Sequence, residues 1–317
     1  MVMFGLWRLL RGLLVVLFVT FVVVALMSLA PGSPAVVILG ENATPEAVAA
    51  LESKLGLDNP VWLQWLHWVQ AAATGDFGTS VVTNQGVLGA IIERLPVTLE
   101  IAVLAQIIAL VIAIPLAIVA ARRPERGPDR AANLVTSVLL STPAFVAAPL
   151  FVYLFAVQLG WFPVTGWTPI SEGLWPNLQG ALLPAICVAL VEVASLQRIL
   201  RADLVRTLRE DFVIAARAKG LSGSYVMMRH AFRPSSFSLI TVAAIGFGRL
   251  LGGTIIVEAF FSLPGIGMLV ASAINSRDLI TVQGVVAFIA IAYVLLNTLV
   301  DVGYGLLDPR VRLAGAR

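Results

Sequence analysis

The chain has 317 residues, 59% of them hydrophobic and 12% charged, with a mean hydropathy of +0.94. A soluble domain carries about 25% charged residues, so the composition excludes an ordinary water-soluble fold and places the chain in a bilayer. The formal charge of +3 then reads as a topology signal and not as a nucleic-acid footprint; the lone Cys187, inside an apolar run, excludes disulfide frameworks and Cys-rich metal sites.

A spanning helix needs about 20 mostly apolar residues, and six stretches qualify, at 9–30, 97–121, 133–158, 181–200, 237–259 and 282–306. Arg8 and Arg11 precede the first, as in a signal peptide, but the uninterrupted run 12–30 exceeds the usual apolar core of about 7–15 residues. It reads as an uncleaved span. With the N-terminus cytoplasmic, the inner connections hold 17 of the 21 Lys and Arg residues, the outer ones hold three, and Arg249 lies within a span. That split puts both termini inside. Six of the seven tryptophans then fall in outer segments, where amphipathic rings favour the interface.

In the outer segment 31–96, Thr44 before Pro45 and Asn59 before Pro60 are two helix starts, with Gly56 and Gly75 as stops. The second helix carries Trp62, Trp65, Leu66 and Val69 at helical spacing, suited to the membrane interface or to packing on the protein's own helices.

Residues 198–236 are the most charged part of the chain, yet Leu204, Leu208, Phe212, Ala215 and Ala216 recur at helical spacing. They predict a helix continuing from the fourth span, stopped at Lys219 and Gly220. Ser222 then caps a second short helix with Tyr225, Met228 and Phe232 on one side. Aromatic and Met knobs inside a basic rim of Arg217, Lys219, Arg229 and Arg233 suit a helix-in-groove contact with a protein; the same pattern also suits a basic helix lying on anionic lipid.

The run I-A-A-R-A-K-G at 214–220 resembles the coupling loop of bacterial ABC importer permeases, in which E-A-A, three residues and Gly mark the helix that enters the ATPase. Ala215, Ala216 and Gly220 match; Ile214 stands where the acid is usual, and H-A-F-R-P at 230–234 replaces the downstream Ile-x-Leu-Pro. The wider D-F-V-x-x-A-R-A-K-G-L at 211–221, covering Asp211, Phe212, Arg217, Ala218, Lys219 and Leu221, is similar to the dipeptide/oligopeptide/nickel permease family. So are L-A-P-G-S-P at 29–34, L-G-L-D-N-P at 55–60, G-D-F-G-T-S at 75–80, E-R-L-P-V-T-L-E at 93–100, F-S-L-P-G-I-G at 261–267 and L-D-P-R-V-R at 307–312.

The resemblance implies an all-α integral membrane protein with six transmembrane helices and a type I ABC importer permease-like core. Its parts would be an N-terminal helix 1–30, an extracytoplasmic segment 31–96, a five-helix core 97–306 with the coupling hairpin at 201–236, and a cytoplasmic tail 307–317. It further implies a multi-pass protein of the bacterial cytoplasmic membrane that forms half of a pore. The expected partners are a second, paralogous permease, two cytoplasmic ATPase subunits, an extracytoplasmic solute-binding protein and membrane lipid, with no nucleic acid. No cofactor is expected, since ATP is bound by the ATPase subunits. The sequence agrees in having no Gly-x4-Gly-Lys-Ser/Thr run to wrap phosphates. The implied cargo is a peptide delivered by the binding protein, with nickel or another small solute as the alternative.

Charge at the bilayer centre costs about 2.5–3.5 kcal/mol on insertion scales, so Glu192 in the fourth span and Arg249 in the fifth are candidates for an interhelical pair or for the lining of the path. Glu258, just before F-S-L-P-G-I-G, either gates the outer mouth or holds that turn's amides; Asp301 near the inner end of the sixth span is expected to snorkel or pair. Gly246, Gly248, Gly252 and Gly253 suit close helix packing. His67 and His230 lack ligand-spaced neighbours. An intramembrane enzyme would need paired catalytic groups at one depth, and a secondary transporter inverted repeats; neither pattern is apparent.

Overall fold

The computed structural model describes the backbone of residues 2–29 and 33–307 and the side chains of 10–29, 33–36 and 38–300. The motif at 307–312, the tail, part of the motif at 29–34 and the Asp301 side chain lie outside the described residues. Regular structure among these residues is helical apart from one bridge, Thr79 to Gly86. Five single helices are long and apolar enough to cross a membrane, and two interrupted helix pairs bring the number to seven. The six expected spans correspond to the five single helices and the first of those pairs.

Contacts divide the chain into two compact units, one comprising 1–98 with 264–317 and the other 99–263. In the first, α1 (Val2–Leu29) packs on α14 (Leu279–Leu307). They approach so closely that a β-carbon on Gly12 would lie 2.3 Å from a methyl of Val294. The short helices α2 (Pro34–Leu39) and α3 (Pro45–Leu55) start at Ser33 and Thr44, whose hydroxyls accept from the Ala35 and Ala47 amides. Helix α4 (Val61–Ala73) is capped at Pro60 and not at the expected Asn59, which turns its side-chain amide back to the Gly56 carbonyl. The α4 tryptophans divide by register. Trp65 donates to Thr20 at 3.0 Å and stacks edge-on with Phe21, while Trp62 and Leu66 remain exposed. Packing on the protein's own helix thus accounts for Trp65.

Helix α5 (Val87–Arg122) has 36 residues and starts ten before the expected edge; at 1.5 Å per residue it is ~54 Å long, well beyond a ~30 Å hydrocarbon core. In the second unit, α8 (Leu174–Thr207) packs against α6 (Gly127–Ser141), α7 (Ala144–Phe151) and α11 (Arg233–Gly253). Small buried residues Ala181, Ala185 and Ala189 on α8 permit close approach. The expected third span is not straight. Helix α6 and the segment from α7 to Gln158 meet at 100°, because Thr142 precedes Pro143 and is extended (φ −104°, ψ 102°), the conformation that a following proline imposes. The fifth span also breaks, at Thr254, into α11 and α12 (Ile255–Phe261), directly after the poor helix formers Gly252 and Gly253. Helix α13 (Ile266–Asn275) follows.

Candidate functional site

The fourth span continues into the charged segment as far as Thr207, and the expected unbroken helix to Lys219 does not form. Helix α8 stops at Thr207, and Glu210 is extended (φ −71°, ψ 146°) before a new eight-residue helix, α9 (Asp211–Ala218). Two acidic residues in succession, Glu210 and Asp211, favour a helix N-terminus at this point, where the amide dipoles point. The restart also changes the buried register. Val213, Ala216 and Val226 form a small core with Leu208 packed on it, whereas Phe212 and Ala215, expected on one apolar face with Leu204, Leu208 and Ala216, point outward.

Helix α9 ends in a Schellman turn: Gly220 has φ +80°, its amide donates to Arg217 and the Leu221 amide donates to Ala216. Ser222 then caps the next helix, its hydroxyl accepting from the Tyr225 amide at 3.4 Å. That helix is not the short one expected. The turn α10 (Gly223–Tyr225) continues through a π-helical stretch, Val226–Phe232, into α11, so the hairpin's second arm is the start of a helix running from Gly223 to Gly253.

The outer surface of this hairpin carries both apolar and charged side chains. Phe212 is 50% and Met228 52% exposed, and Ile214, Leu221 and Tyr225 are also exposed. Asp211, Arg217, Ala218 and Lys219 are exposed around them. The Tyr225 ring leans on His230 with centroids 5.7 Å apart. Such a patch offers side-chain knobs to a groove.

Farther along, Glu192 on α8 and Arg249 on α11 lie 3.5 Å apart, with side chains 4% and 55% exposed. Gly246 makes room for this carboxylate, since a β-carbon there would fall 2.0 Å from Glu192 Oε1. That oxygen has no hydrogen-bond partner. Glu258 on α12 is fully buried, and its carbonyl accepts from the Leu263 amide across the turn.

Residues 113–313 match the family described as the binding-protein-dependent transport system inner membrane component, and residues 1–102 match that family's N-terminal region. The chain belongs to this family. A putative peptide transport system permease protein from Brucella abortus is 38% identical over 96% of this chain and 97% of its own length. A dipeptide transport system permease protein from Alkalihalophilus pseudofirmus is 34% identical over 98% of this chain and 100% of its own. A glutathione transport system permease protein from Escherichia coli K12 is 33% identical over 96% and 97%. As a member of this family the chain is a multi-pass inner-membrane permease and not an enzyme, working with a solute-binding protein, ATPase subunits and a second permease.

Sequence reasoning missed several polar groups of this permease. Asp129 on α6 is buried and receives both Nε and Nη2 of Arg201 on α8, the amide of Glu125 at 2.7 Å and the Asn133 amide at 3.2 Å. Neither residue stands out in the sequence; Arg201 counts there only as one of the inner-side basic residues. Gln197 on α8 is fully buried, with neither side-chain atom hydrogen-bonded, and Gln106 on α5 carries the same two unpartnered atoms. Glu100 accepts from Trp167 Nε1 at 2.9 Å while its other oxygen lacks a partner. Uncharged glutamines barely interrupt an apolar run, so only a helix-by-helix inventory of amides would have raised them.

Proposed function

We propose that this permease carries peptides, forming half of the pore with one paralogous subunit, and that the hairpin at 211–228 is where one of two cytoplasmic ATPase subunits acts on it. The observation carrying the coupling role is the exposed set Phe212, Ile214, Leu221, Tyr225 and Met228, held outward by a buried core of Val213, Ala216 and Val226. Apolar side chains presented from both arms of a Schellman-turned hairpin suit a protein groove better than a lipid surface, where they would be spaced along one long helix face. The peptide reading rests on the relatives named for peptide, dipeptide and glutathione transport, which match nearly the whole chain.

In this scheme the binding protein delivers solute from outside, ATP hydrolysis moves the hairpin, and α10 and α11 carry the motion into the membrane. Glu192 and Arg249 act as an interhelical pair within the path-forming unit, and Glu258 supports the turn after α12. The assembled transporter in proteoliposomes, with its binding protein, should accumulate a labelled dipeptide in an ATP-dependent manner and leave nickel outside. Uptake of nickel without dipeptide would transfer the same machinery to the other cargo, and cross-links from 212–228 reaching only lipid would remove the coupling role.

A further inference from the structure

Within the first unit, the C-terminal end of α1 and the start of α14 border a cavity of about 480 Å³ that α3 and α4 help to enclose. This lies in the size range of small-molecule sites. Its apolar wall includes Val23, Met27, Leu57 and Ile280, so it continues the surface of two helices apolar enough to span a membrane. Leu26 and Leu29 are also exposed on α1.

Besides Ser28, Ser33, His67 and Trp68, three polar groups in this wall form a chemically asymmetric set. Gln283 on α14 is 8% exposed and lines the cavity, yet its Nε2 has no hydrogen-bond partner. A buried donor left without a partner is costly and needs an acceptor. Gln64 donates its amide protons to the Leu57 and Asn59 carbonyls, at 3.1 and 2.8 Å, which leaves its Oε1 as an acceptor. Glu52 adds a carboxylate that makes no hydrogen bond or ion pair among the described residues. Gln283 therefore calls for an acceptor, and an occupant that also used the half-exposed Glu52 carboxylate and Gln64 Oε1 would bring a cationic donor to them and apolar bulk to the rest.

We propose that this cavity is a binding site for a glycerophospholipid with a primary-amine headgroup. An ester carbonyl accepts from Gln283, the ammonium donates to Glu52 and Gln64 Oε1, and an acyl chain lies along Val23 and Met27. The continuity of the wall with spanning helices favours a bilayer lipid over a peptide, which carries the same ammonium and carbonyl chemistry. A choline headgroup meets the same charge but has no N–H to donate, so the site distinguishes the two.

The test uses the complete transporter purified from nanodiscs of equimolar phosphatidylethanolamine, phosphatidylcholine and phosphatidylglycerol, with retained lipid read by native mass spectrometry. Phosphatidylethanolamine should be retained at least five-fold over phosphatidylcholine. Glu52→Gln should bring that ratio near one while total retention persists. Gln283→Leu should lower retention of all three lipids. Glu52 is partly exposed on a short surface helix, so its substitution tests the site even where Gln283→Leu disturbs folding. Equal retention of ethanolamine and choline lipids by the unaltered protein would overturn the proposal, as would displacement of the retained lipid by an added dipeptide.

Discussion

Gly246 on α11 faces Glu192 on α8 at a distance that leaves no room for a β-carbon, which would sit 2.0 Å from Oε1 and 2.6 Å from the carboxyl carbon. The carboxylate is thus held by a gap in the facing helix on one side and by Arg249, 3.5 Å away, on another. Gly246→Ala should push Glu192 out of this slot. We expect transport to fall at least ten-fold with normal insertion of the chain, whereas Gly253→Ala, whose β-carbon meets nothing within 4 Å, should leave transport near the unaltered level. Uptake assays on the two variants decide this.

The pair itself makes a separate prediction. A lone charge inside a span is costly, and a hydrogen-bonded partner offsets part of that cost. Glu192→Leu and Arg249→Leu should each reduce assembly or transport, and the double substitution should recover part of the loss. A double variant no better than the worse single would assign the two residues to separate contacts with solute.

At the hairpin, Gly220 adopts φ +80° with open space where a side chain would stand, so only its backbone conformation is demanding. Proline holds φ near −65° and cannot form this turn. Gly220→Pro should abolish solute-stimulated ATP hydrolysis and uptake while membrane insertion persists. Gly220→Ala, with a left-handed penalty of about 1–2 kcal/mol, should give an intermediate phenotype. Equal coupling in all three proteins would show that the turn does not transmit.

Asp129 and Arg201 join α6 to α8 through a two-pronged contact in which the carboxylate is buried. Removing one member of such a pair costs about 3–5 kcal/mol, because the other charge is stranded. Arg201→Leu should therefore lower the thermal unfolding midpoint in detergent by several degrees, more than Arg206→Leu does. Arg206 makes only an exposed contact, 3.8 Å from Asp203, of the kind worth little.

Orientation can be read with cysteine labels at Ser171 and Ser224, both exposed. The charge distribution expects Ser171 to react from outside the cell and Ser224 from inside. Reaction of both from one side would defeat the six-span arrangement.

The features legible in the sequence are those set by a few neighbouring residues. Thr44, Pro45 and Gly56 announce α3 because a cap, a proline and a left-handed glycine act locally. The Gly220 turn is legible for the same reason. The bend at Pro143 was also written in the chain, but averaging hydropathy over twenty residues erases a single interruption. The register of α9 was harder. Leu204, Leu208 and Phe212 form an unbroken helical pattern on paper, and the break at Glu210 depends on packing by Val213, Ala216 and Val226, which meet only after the chain has turned. Likewise, Glu192 and Arg249 could be matched in depth from sequence, but Gly246 became meaningful only once its helix faced the carboxylate.

The helix from Gly223 to Gly253 links the turn at Ser222 directly to the arginine beside Glu192. From Gly223 to Arg249 its length is ~39 Å at 1.5 Å per residue. A rod of that length pivoting about one end by only about 5° sweeps its other end through ~3 Å, comparable to the 3.5 Å that separates Arg249 from Glu192. A tilt of that size is therefore geometrically sufficient to make or break the Glu192–Arg249 contact. The wider π-helical turns at 226–232 lie close to the end where such a pivot would be driven.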